Sequence, residues 1–299
     1  MKKANAMLNR FFLTVALMLL AATPVRAADA GATLHVDSAY VTKTGAGSRA
    51  VILIPGLGFG GFVFDGIVPS LAKRYTVYVV MFAGFDGEPP AQGPYLDAFA
   101  KSIVDLIAQE HLQKPILIGH SLGGHLAIRV AATVPAQIGG VVVIDSLALY
   151  PPLRPGDTLP ERRTTMQYVR DQMMAAPQAA WDAQAKSTVA TMVTDPATAD
   201  VLLAHEAKGD RATFLGAFYE MSLADLHPVL ASITAPVLVL AASPSEAQAE
   251  MTRGFYLADY AGTPHLDVIA IAPSKHFIMY DQPDRFARAI DAFLAKTAP

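Results

Sequence analysis

Ser121 stands between glycines in Gly119-His120-Ser121-Leu122-Gly123-Gly124, a setting in which a hydroxyl can be presented as a nucleophile. The apolar run Ile116-Leu117-Ile118 precedes it, and Leu126, Ala127, Ile128 and Val130 follow at helical spacing. The pattern predicts a buried strand, a sharp turn and a helix. A serine at the tip of such a turn sits in strained backbone that tolerates little bulk two residues to either side, and Gly119 and Gly123 meet that demand. The turn also leaves the Leu122 N–H at a helix N-terminus, where backbone donors and the helix dipole can hold an oxyanion beside Ser121. Such a serine needs a neighbouring base, most often histidine, and eight histidines are present. Cysteine is absent, which rules out a thiol nucleophile, disulfides and metal–thiolate sites. No pair of histidines has metal-ligand spacing with a carboxylate partner, so no metal is expected.

The elements that must carry this chemistry alternate. Thr33 to Thr44 reads as an opening strand or hairpin, and Val51 to Ile54 as a buried strand running into Pro55-Gly56-Leu57-Gly58-Phe59-Gly60-Gly61. These glycines do not make a dinucleotide-binding fingerprint, because no acidic residue ends the next strand, Thr76 to Met81. Helical pattern is predicted over Phe62 to Ala72 and Tyr95 to Glu110, with a strand at Thr76 to Val80 between them. Val141 to Ile144 is a further buried strand, closed by Asp145. Alternation of this kind predicts an α/β fold with a mostly parallel sheet covered on both faces.

From Ser146 to Ala235 the alternation stops. Apolar residues fall instead at helical spacing (Met166, Val169, Met173, then Phe214, Leu215, Phe218, Met221), and Asp195-Pro196 and Asp210 look like helix starts. So long an interruption between strands should have structure of its own. Strands resume at Pro236 to Leu240 and Leu266 to Ile271, with a helical link around Glu250 to Tyr260 and a closing helix at Pro283 to Ala295.

Gly119-His120-Ser121-Leu122-Gly123-Gly124 resembles the nucleophile motif of the α/β-hydrolase superfamily. The resemblance implies the α/β-hydrolase fold, with a core from 28–145 and 236–299 and a helical cap over the active site from 146–235. It implies a second oxyanion donor after the first parallel strand, by position the N–H of Leu57, to act with Leu122. Pro55 departs from the superfamily pattern, since it stands where a histidine is common and lacks that side chain's hydrogen bonds. Ser274-Lys275-His276-Phe277-Ile278-Met279-Tyr280-Asp281-Gln282-Pro283, before the last helix, resembles the superfamily's catalytic-histidine loop and makes His276 the base; His120 and His125 are read as local packing or hydrogen-bonding residues. In most relatives the acid follows the strand at Pro236–Leu240, but a serine, Ser243, stands there, with Glu246 nearby. Some members take the acid from the end of the preceding strand, where Asp145 stands, so Asp145 and Glu246 both remain candidates.

The expected activity is serine hydrolysis of carboxylic esters of small, largely apolar substrates, without a cofactor. Phe59, Met166, Met173 and Phe218 are candidates for the substrate pocket, where methionine and aromatic side chains give an adaptable apolar lining. Lactones, thioesters and C–C bonds use the same machinery. Dehalogenase and epoxide-hydrolase relatives carry an aspartate where Ser121 stands, which disfavours those chemistries. A fold retained for small-molecule binding, with turnover faded, is the alternative from a different class.

The chain of 299 residues opens with Lys2, Lys3 and Arg10, an apolar run from Phe11 to Ala22, and Val25-Arg26-Ala27. This predicts a secretory signal peptide over 1–27 and a periplasmic or secreted protein, with an uncleaved N-terminal anchor as the alternative. Cleavage after Ala27 removes four basic and no acidic side chains, moving the formal net charge from −3 to −7. So acidic a mature chain argues against nucleic acid or an anionic membrane surface as partner, and no other stretch is long enough to span a bilayer.

Overall fold

Eight strands form a single sheet in the order β1-β2-β4-β3-β5-β6-β7-β8. They are β1 (Ala32–Val36), β2 (Ala39–Thr44), β3 (Ala50–Ile54), β4 (Thr76–Phe82), β5 (Ile116–His120), β6 (Gly140–Ile144), β7 (Val237–Ala242) and β8 (Leu266–Ile271). The computed structural model describes residues 32–153 and 156–297, and the signal peptide expected at 1–27 lies outside them. β1 and β2 form an antiparallel hairpin, β2 pairs antiparallel with β4, and from β4 to β8 every pairing is parallel.

The helices between strands are α1 (Val68–Leu71), α2 (Tyr95–Gln109), α3 (Leu122–Thr133) and α8 (Ala249–Asp259). A short α9 (Ile278–Asp281) and α10 (Pro283–Lys296) close the chain. Between β6 and β7 come α4 (Leu159–Ala175), α5 (Gln178–Met192), α6 (Pro196–Glu206) and α7 (Arg211–Leu223), with no strand among the described residues. Among the described residues, no helix is long and apolar enough to cross a membrane.

Every residue of β3, β5 and β6 is buried. That is why these strands read as unbroken apolar runs: helices cover both faces of a parallel sheet. α2 shows the complementary pattern, burying Leu96, Phe99, Ile103, Leu106 and Ile107 on one stripe. The helix predicted over Phe62 to Ala72 is broken. A 3₁₀ turn at Gly61–Phe64 and the single turn α1 replace it, because Pro69 has no amide to donate and its ring clashes with the carbonyl four residues back.

After β3 the chain crosses to β4 on one side, and β5 is added on the other. Strand order reverses there, and loops leaving the carboxyl ends of strands on either side of such a reversal diverge and leave a crevice. The carboxyl ends of β3, β5, β6 and β8 are therefore brought to one edge, the edge that bears Leu57, Ser121, Asp145 and His276.

Candidate active site

Ser121 follows β5 directly and has φ +52°, a left-handed conformation that costs a side-chain-bearing residue on the order of 1–3 kcal/mol. The surroundings hold it there. Its amide donates to the Ile144 carbonyl (2.9 Å), and its carbonyl accepts from the amides of Gly124 (2.9 Å) and His125 (3.1 Å). A Cβ on Gly119 would stand 2.0 Å from the Gly123 carbonyl oxygen, and one on Gly123 would stand 2.0 Å from that of Ile54. Glycine is required at both places because the turn is pressed onto itself and onto the end of β3.

Leu122 is the first residue of α3, so its N–H has no acceptor within the helix. Gly56 packs against Ser121, its Cβ position lying 3.3 Å from Ser121 Cβ, which puts Leu57 at the next step of the chain. Among the described residues the amides of Leu57 and Leu122 donate to no backbone or side-chain acceptor. Without a histidine at position 55, the loop is closed by the Phe59 amide on the Gly56 carbonyl (3.2 Å) and by the Phe59 ring edge-on to Phe277 (5.1 Å between centroids).

The His276 Nδ1–H donates to Asp145 Oδ2 at 2.7 Å. Asp145 is itself in a left-handed conformation (φ +46°), which aspartate tolerates better than most residues. Its other oxygen, Oδ1, accepts from the Ala242 amide (2.9 Å) and the Tyr256 hydroxyl (2.8 Å). Burial pushes the Asp145 carboxyl up, but the hydrogen bonds from His276, Ala242 and Tyr256 outweigh it and hold the group below its ordinary value. With Nδ1 protonated and committed to Asp145, the unprotonated nitrogen of a neutral His276 is Nε2. Glu246 is elsewhere: exposed, and paired with Arg285 at 2.7 Å.

The two histidines that flank Ser121, His120 and His125, are buried. His120 Nε2–H donates to the His276 carbonyl (3.1 Å), and its ring lies 4.5 Å from that of His276 and 4.7 Å from Phe277. Burial, then the neighbouring His276, lowers the His120 pKa to about 3, so it stays neutral. Burial likewise lowers His125 to about 4. The His276 loop is tied to α5 as well. The Phe277 amide donates to the Met192 carbonyl (3.0 Å), and Lys275 Nζ donates to that of Val193 (2.8 Å).

A cavity of about 560 Å³ opens above these groups, and Ser121, Asp145, His276 and Leu57 all border it. Phe59, Met173 and Phe218 line it, as the sequence predicts. Met166 does not: it lies two turns before Met173 on α4, about 10 Å along the axis, and is only half-buried. The sequence reading missed Tyr256, Trp181 and Glu206, which also line the cavity. Each is an ordinary residue on a helix, and no local motif marks it. Among the described residues no cluster of histidine, aspartate and glutamate could hold a metal ion.

The chain that brings Ser121, Leu57 and the His276–Asp145 pair to one sheet edge matches a known family model, the alpha/beta hydrolase family, over residues 51–289. The chain belongs to the alpha/beta hydrolase family. A hydrolase from Pseudomonas aeruginosa PA01 superposes with a TM-score of 0.73 at 20% identity, covering 90% of this chain and 99% of that one. A thermophilic esterase from Thermogutta terrifontis does so with a TM-score of 0.73 at 19% identity, covering 90% of this chain and all of the other. At such identities these likenesses concern the fold. In sequence, the chain is 34% identical over 97 residues to the pimeloyl-[acyl-carrier protein] methyl ester esterase of Aeromonas hydrophila, 32% of this chain and 37% of that one. The chain spans between 6% and 40% of the length of the curated relatives it matches.

Proposed function

We propose that this hydrolase-family chain is a serine hydrolase that cleaves carboxylic esters of small, largely apolar substrates through an acyl-enzyme. The observation that carries the reading is the His276–Asp145 hydrogen bond at the edge of the cavity that Ser121 also borders. His276 Nε2 takes the proton as Ser121 Oγ attacks the acyl carbon, and Asp145 holds the ring in that tautomer and stabilises the imidazolium. The N–H groups of Leu57 and Leu122 receive the oxyanion. His276 then returns the proton to the leaving alcohol, and water repeats the sequence to release the acid. Esterases among the structural and sequence relatives support ester chemistry.

The helices of 146–235 act as the cap, and their methionine and aromatic side chains size the substrate. The test is a serine-directed fluorophosphonate with a chain-length series of p-nitrophenyl esters. Labelling at Ser121 and turnover that is lost in Ser121→Ala are expected. Ligand-induced thermal stabilisation without labelling or turnover would instead assign a binding role. Export rests on the basic and apolar pattern of residues 1–27. The exported protein is expected to begin at Ala28, and an intact Met1 on N-terminal sequencing would overturn this.

A further inference from the structure

One polar side chain of the cavity wall has no part in the chemistry above. Glu206 is the last residue of α6 and lines the cavity, and its Oε2 is shut off from solvent with no hydrogen-bond partner among the described residues. Among the described residues no cation pairs with it. Lys208 and His205 are both held by Asp86 (3.2 and 2.7 Å), and Arg211 lies over the Trp181 ring at 4.9 Å and donates to the Ala176 carbonyl (2.8 Å).

The surroundings add negative charge. Burial, followed by the nearby Asp182, raises the Glu206 carboxyl. The carboxyl-terminal end of α6 carries negative partial charge. Aromatic rings stand beside it. A Cβ on Gly58 would lie 2.9 Å from the Phe214 ring and 3.5 Å from Glu206 Cγ, so ring and carboxyl side chain share one spot, and Trp181 meets Phe214 edge-to-face at 5.6 Å. A carboxyl group with a buried, unpartnered oxygen beside aromatic side chains is the environment that an alkylammonium ion completes, since it supplies both the missing donor and a compensating charge.

We propose that Glu206 is a specificity residue of the ester-hydrolase site, receiving a protonated amine that the substrate carries away from its ester bond. The inference rests on the hydrolase reading above. The reach is short, because Gly58, against Glu206, and Gly56, against Ser121, are two residues apart, at most about 7 Å of chain.

The test uses three matched series of acetate esters with spacers of three to eight carbons. One ends in a dimethylammonium group, one in its neutral isostere with carbon in place of nitrogen, and one in a hydroxyl. The ratio of kcat/KM for the ammonium ester to that for the isostere is measured in the native protein and in Glu206→Gln. Because the ratio is taken within each protein, any loss of folded enzyme cancels. The native ratio is expected to reach about tenfold or more at one spacer length, carried by KM, and to fall to about one in the variant. Equal ratios in both proteins at every spacer would overturn the proposal, as would a preference for the hydroxyl ester that the variant loses. If no ester turns over and fluorophosphonate leaves Ser121 unlabelled, the hydrolase reading fails by itself. Calorimetric binding of N,N-dimethylhexylammonium to the native protein and to Glu206→Gln then decides the cation site without turnover: binding weakened about tenfold by the substitution sustains it, and equal binding overturns it.

Discussion

The cavity has two walls held by different means. On the sheet side, β3, β5 and β6 are buried at every residue, and Asp145 alone accepts three hydrogen bonds. On the insertion side, α4 buries no residue, α5 buries Val189 and α6 buries Leu202. α7 is the exception, with Leu215, Ala217 and Met221 packed inward. The difference separates tasks. In the proposed mechanism the reacting groups stand on elements whose movement would break a packed core, whereas the groups proposed to meet substrate stand largely on helices that bury few residues.

The largest expected effect breaks the sheet wall at its acid. Asp145→Asn should lower kcat/KM on a p-nitrophenyl ester by about 10⁴-fold, because the amide no longer holds His276 in the reactive tautomer. Glu246→Gln should stay within about twofold, its partner being Arg285. The reverse result would move the acid to Glu246.

The sheet wall should also be the acid-labile one. His120 and His125 are held neutral by burial, with pKa values lowered from 6.5 to about 3 and about 4, whereas the unfolded chain takes up protons from about pH 6.5 downward. Stability is therefore full above about pH 6.5 and falls as pH drops, by about 1.4 kcal/mol per unit for each histidine until its folded value is reached. Asp145, also lowered, adds a loss in the same direction, but only below its ordinary value of 3.8. Urea unfolding at pH 7 and pH 5 checks the slope, which His120→Asn should roughly halve. An unchanged slope would show that His120 is not held neutral.

Tyr256→Phe is a milder break. Removing one donor from a charged acceptor should reduce kcat by about tenfold. It should also let the Asp145 carboxyl rise, moving the acid-side limb of the rate–pH profile to higher pH; a uniform loss at all pH values would mean a packing role alone.

The smallest effect sharpens the other wall. Thr158 and Glu161 form a capping box at the start of α4, and Thr158→Ala should cost about 1 kcal/mol locally. Hydrogen exchange should accelerate in the first turns of α4 and leave β5 and β6 unchanged. Acceleration in those strands would show that the two walls unfold together.

Ser121 and its turn were legible from the single stretch Ile116 to Val130, because the demands of that turn are local. A strand period, two glycines under steric pressure and a helix start all fall within one stretch. The histidine loop could be placed by resemblance for the same reason, as could the succession of strands and helices by periodicity. The pocket was less legible: Met173 and Met166 share a helix face, and only their depth along α4, which packing sets, tells them apart.

The sequence by itself thus determined the glycine-flanked turn at Ser121, the helix start at Leu122 and the succession of the sheet's building blocks, since each is written in neighbours a few positions apart. Only the tertiary structure joined His276 to Asp145 and Glu246 to Arg285, brought Tyr256 onto the same carboxylate, and left Glu206 without a partner among the described residues of the cavity wall. Those outcomes join residues 97 to 131 positions apart around Asp145, or depend on which charges fail to meet. Such long-range meetings are fixed by how β6, β7 and α8 pack together, and no local pattern of residue types encodes that packing.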